Sequence, residues 1–159
     1  MPIDLRRLLQ TVAIIGAISA YGTIVVGGTV RGVEAGLACP DWPLCHGSVV
    51  PNLADQAVAI EYTHRLFAAL TALFLLLTLI VVLVWFRLDR RLVTVSVITF
   101  VLLVTQVAFG ALTITSSLNW AIVTVHLAVG TATFAFALLM AFLSLRPGRQ
   151  ELVDAPPIA

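Results

Sequence analysis

The chain has 159 residues, of which 60% are hydrophobic and 11% charged, with a formal net charge of +1 and a mean hydropathy of +1.08. A water-soluble domain of this length cannot bury so much apolar surface, so the composition reads as an all-α integral membrane protein, with lipid as solvent and no nucleic-acid partner expected.

The first apolar run, Leu8–Val30, follows Arg6 and Arg7 as a signal peptide would, but its 23 uncharged residues exceed the ~7–15 of a signal core. It reads as a retained first helix over about 8–30. A loop over 31–59 carries Cys39, Trp42, Cys45 and His46. A second helix over about 60–86 contains the apolar run Leu66–Phe86, and Arg87, Arg90 and Arg91 separate it from the next. No Asp, Glu, Lys or Arg occurs from Leu92 to Leu145. That is too long for one span of ~20 residues, and Thr115-Ser116-Ser117 with Asn119 supply the break, giving helices over about 92–114 and 120–145. Residues 1–150 thus form a single antiparallel four-transmembrane-helix bundle, with 151–159 as a flexible cytoplasmic tail.

All basic residues are arginine, and seven of the nine flank the helices on one side. The positive-inside rule makes that side cytoplasmic, together with both termini, and puts the cysteine loop outside the cell membrane. The second and fourth helices then run in the same direction.

Those two helices resemble one another in sequence. Glu61–Thr71 aligns with Val123–Thr133, which pairs His64 with His126 one to two turns below the outer surface, and Val26–Val30 aligns more faintly with Ala108–Leu112. The chain reads as two two-helix pseudo-repeats, each supplying an imidazole at one depth. A lone intramembrane histidine can be a structural hydrogen-bonding residue; a matched pair suits the two axial positions of a haem iron. Glu61 and Arg65 share a helix face with His64. Glu61 can serve as a base or stabilise developing positive charge, or simply pair with Arg65 at the helix start. Arg31 and Arg65, the outward-side arginines, are candidates for haem propionates or for interfacial snorkelling. Cys39 and Cys45, with five residues between them in the outer loop, are placed where a disulfide is permitted. His46 reads as solvated, with a Cys-Cys-His metal site as a remote alternative. Trp42 and Trp120 read as interfacial anchors.

Thr29-Val30-Arg31, the run Gly36-Leu37-Ala38-Cys39-Pro40-Asp41-Trp42-Pro43-Leu44-Cys45-His46-Gly47 and Glu61-Tyr62-Thr63-His64-Arg65 together resemble the haem A synthase family. The resemblance implies an oxidoreductase that oxidises the C8 methyl of haem O through a hydroxylated intermediate to the formyl group of haem A, for terminal oxidase assembly. It implies Glu61 as the catalytic glutamate, His64 and His126 as axial ligands, and Cys39 and Cys45 as a redox-active pair, with a structural staple as the alternative. Haem is the expected cofactor, as haem O substrate, haem A product or haem b, with its iron. Typical members have eight helices in two four-helix halves. The present chain corresponds to the substrate-side half, and Gly32-Val33-Glu34-Ala35 departs from the family's small hydroxylated residues. A homo-oligomer, dimer or trimer, is expected to replace the missing half. Further expected partners are a haem O-forming enzyme, oxidase assembly factors and an unidentified electron donor. The alternatives are a bis-histidine b-type cytochrome for electron transfer or haem delivery and, with less support, a thiol oxidase.

Overall fold

The computed structural model describes residues 4–146. The tail expected at 151–159 lies outside the described residues, as does Arg149. Four helices follow in order: α1 (Leu5–Gly32), α2 (Gln56–Trp85), α3 (Arg90–Thr115) and α4 (Trp120–Leu145), with one 3₁₀ turn at Ala35–Leu37 between the first two. All four are long and apolar enough to cross a bilayer, and the chain is a multi-pass, all-α membrane protein. At 26 to 30 residues and ~1.5 Å per residue, each exceeds the ~30 Å hydrocarbon core.

The first three helices start before their apolar runs because N-caps, not hydropathy, set those starts. Asp4, Asp55, Asp89 and Asn119 precede the four helices, and each side chain accepts backbone N–H bonds from the first turn. In α2 the consequence is functional. Asp55 starts the helix five residues before Glu61, so Glu61 and His64 stand in regular helix rather than in a fraying first turn.

Lipid tails are as apolar as the helices, so small residues and close packing must hold the bundle together. On α1, Ala13, Ala17 and Ala20 are buried. A Cβ added at Gly16 would lie 3.0 Å from Leu75 Cδ2, and one at Gly22 would lie 2.7 Å from Phe67 Cε1. α1 packs most extensively on α2 and α3 on α4, while α1–α4 and α2–α3 contacts close the ring. Buried hydroxyls of Thr71, Thr78, Thr99, Thr133 and Ser144 donate to carbonyls of their own helices. Polar groups are thereby satisfied without water.

The two ends of the bundle differ. Leu9, Leu75, Val82, Leu92 and Met140 fill the end that holds the α1 start and the α4 finish. At the opposite end a cavity opens, and the loops 33–55 and 116–119 meet over it: a Cβ on Gly36 would lie 3.2 Å from Leu118 Cδ1.

Candidate functional site

The cavity has a volume of about 490 Å³ and is lined by all four helices and both loops at that end of the bundle. That lies within the ~300–1,000 Å³ typical of small-molecule and cofactor sites. His64 stands ~12 Å along α2 and His126 ~9 Å along α4 at helical rise, and both imidazoles line this one cavity.

A glycine backs each imidazole. A Cβ on Gly27 would come within 2.9 Å of His64 Cε1 and 3.2 Å of its Nδ1; one on Gly110 would come within 3.3 Å of His126 Cε1. Nothing lies within 4 Å of the corresponding point on Gly28. The α1–α3 repeat is therefore one residue out of the register suggested by sequence, with Gly27, not Gly28, opposite Gly110. The sequence gives two adjacent glycines, and only packing decides which one touches the ring.

Three buried side-chain atoms have no hydrogen-bond partner among the described residues: His64 Nδ1, His126 Nδ1 and Gln106 Oε1. All three residues line the cavity. A buried polar atom left without a partner is costly, and all three here belong to residues of one cavity. Two half-buried imidazoles, each seated on a glycine at equivalent positions of parallel helices, fit the axial ligands of a haem. Gln106, which the motifs did not single out, places its Nε2 3.4 Å from His126 Nε2.

Glu61 is buried and is the one carboxylate among the described cavity-lining residues. Arg65 Nε donates to its Oε1 at 2.9 Å. The same guanidinium also donates to the carbonyls of Asp41 (2.8 Å), Leu44 (2.6 Å) and Cys39 (2.9 Å). Four of its five N–H groups are engaged, leaving one for any propionate. Arg65 thus ties the cysteine loop to the face of α2 that carries Glu61. Arg31, exposed at the end of α1, lines the cavity mouth with Trp42.

The loop itself is closed by a Cys39–Cys45 disulfide, both residues being buried against Val58. The Asp41 carboxylate accepts N–H bonds from Gly47 (2.7 Å) and His46 (2.6 Å). The Gly47 amide above all, then that of His46, holds the Asp41 carboxyl below its ordinary value. His46 and Gly47 have positive φ values of 53° and 71°, so the glycine suits the turn. His46 is solvent-exposed, as expected, and its ring also lies 2.8 Å from the Ala38 carbonyl, to which it donates, bracing the loop. With both thiols oxidised, no Cys-Cys-His metal site exists in this loop. Trp120 is exposed at the start of α4, away from the cavity lining.

The chain matches the model of a family described as cytochrome oxidase assembly protein over residues 10–157. A Heme A synthase of Exiguobacterium sibiricum is 28% identical over 137 residues, covering 84% of this chain and 46% of that protein. Heme A synthases of Bacillus mycoides and Bacillus cereus are each 28% identical over 142 residues, covering 87% of this chain and 45% of theirs. The chain spans under half the length of these relatives.

Proposed function

The chain belongs to the cytochrome oxidase assembly protein family, and from that premise we propose that it makes haem A by oxidising the C8 methyl of haem O to a formyl group. The observation that carries this reading is the convergence of His64, His126 and Glu61 on one cavity, with each imidazole seated against a glycine.

In this reading His64 and His126 hold the substrate by its iron from opposite faces. The apolar cavity walls exclude water and receive the macrocycle, while the isoprenoid tail lies among helix faces or in lipid. Arg31 and the one spare N–H of Arg65 meet the propionates. Two successive hydroxylations convert methyl C–H to C–OH. Each takes one oxygen atom from O2 with two electrons from an external donor and two protons and releases one water, and the gem-diol then loses water to give the formyl group. Glu61 offsets positive charge developing at the reacting carbon and accepts the proton released as the carbonyl forms. Arg65 holds the carboxylate through one oxygen, Oε1. The disulfide keeps the loop folded against Val58 over the cavity mouth, or exchanges electrons there with a partner. The loop lies outside the cell membrane and both termini lie in the cytoplasm.

The test is extraction and chromatographic mass analysis of haems after co-expression with a haem O-forming enzyme. Haem A or its hydroxylated intermediate is expected with the wild type, and neither with Glu61→Ala or His64→Ala. Only unmodified haem b or haem O from the wild type would replace an enzyme with an electron carrier or a haem-delivery protein.

A further inference from the structure

We propose that Gln106 is a positioning residue that makes His126 the releasable member of the histidine pair; this rests on the bis-histidine reading above. The register set by Gly27 and Gly110 places Gln106 opposite Thr23. The two residues are engaged differently. Thr23 Oγ1 is within hydrogen-bond distance of the Ser19 carbonyl (2.9 Å) and of Thr71 Oγ1 (3.0 Å), so it is committed within its own half. Gln106 instead brings Nε2 to 3.4 Å from His126 Nε2, and its Oε1 is buried without a partner.

An amide nitrogen only donates, so with this orientation His126 Nε2 is the acceptor and its proton sits on Nδ1. Gln106 therefore engages the lone pair that a metal would use. At 3.4 Å the bond lies at the long end of the range and yields to a better partner, yet it offers the ring somewhere to go. Among the described residues no side chain donates to His64 in this way. The opposing helix makes room for the amide: a Cβ on Gly130 would lie 2.7 Å from Gln106 Nε2, and the matching position of α2 is Ala68. The Gln106 and Gly130 pair thus occupies the places of Thr23 and Ala68. An iron with two imidazoles has no open position, and this arrangement opens one on the His126 side.

The test uses the full chain in detergent, loaded with haem b, with CO association to the ferrous form as the readout. Gln106→Leu keeps bulk and removes the donor; Gln106→Thr installs the residue of the other half. Both are expected to retain the low-spin spectrum of the oxidised wild type, which certifies folding and ligation, and to bind CO about three- to ten-fold more slowly, as loss of one neutral hydrogen bond implies. CO association at the wild-type rate or faster in both variants overturns the proposal. A wild type lacking a bis-imidazole spectrum overturns the underlying haem reading and the proposal with it, and is recognised without any variant.

Discussion

Across the cavity the two halves of the molecule share an imidazole seated on a glycine but not the side chains around it. Gly27 and His64 of the α1–α2 half repeat as Gly110 and His126 of the α3–α4 half, and Thr71 repeats as Thr133. Where the first half presents Arg31, Glu61 and Arg65, the second presents Ile114, Val123 and Leu127, and all six line the cavity. One wall is thus charged and the other apolar. In the function proposed above, the duplicated features position the flat ligand and the unduplicated ones select its orientation and act on it, with propionates at the charged wall and the alkyl edge at the apolar one. The long loop joins the charged half alone, held there by Arg65, whereas four residues, 116–119, connect α3 to α4.

Making the first half resemble the second breaks that division. Glu61→Val, the residue of the other wall, is expected to lower haem A formation by about 10²–10⁴-fold, the worth of a general base, while haem uptake persists; product analysis beside haem content checks both. Arg65→Leu copies Leu127 and leaves the Glu61 carboxylate buried and unpaired, at a cost of about 3–5 kcal/mol. It also frees three loop carbonyls, so faster protease cleavage within 33–55 and a lower thermal midpoint are expected together.

Glycine substitutions sharpen the comparison at the shared features. Gly27→Ala forces the His64 ring aside and is expected to cost about 1–3 kcal/mol with a disturbed haem spectrum. Gly110→Ala, where the contact is 3.3 Å rather than 2.9 Å, is expected to do less, and Gly28→Ala to leave the spectrum unchanged. Wild-type spectra from Gly27→Ala beside disturbed ones from Gly28→Ala would reverse the register. The smallest effect concerns the loop. Because Gly47 and His46 amides favour ionised Asp41, its contribution is present above the unfolded carboxyl's value and lost as pH falls through the lower folded value. Loop protection from proteolysis is therefore expected to decline below about pH 4, and Asp41→Asn to flatten that profile.

Much of this was legible in sequence. Four helices follow from apolar length, and the histidine pair from spacing, because both signals are local and repeat. The helix starts were also readable, since Asp4, Asp55, Asp89 and Asn119 stand where N-caps belong; the bounds expected from the sequence, 8, 60 and 92, lie two to four residues late for the first three helices. The bonds of Arg65 were not readable, because its carbonyl partners lie 21 to 26 residues away in an irregular loop. Nor was Gln106, whose meaning depends on a one-residue register between α1 and α3 that adjacent glycines leave ambiguous.

The most direct measurement is haem stoichiometry with electron paramagnetic resonance of the oxidised, haem-loaded chain, for wild type, His64→Ala and His126→Ala. One haem per chain with a low-spin bis-imidazole signal, lost in each variant, is expected if the two halves grip one ligand between them. A signal that survives either substitution would contradict that shared site.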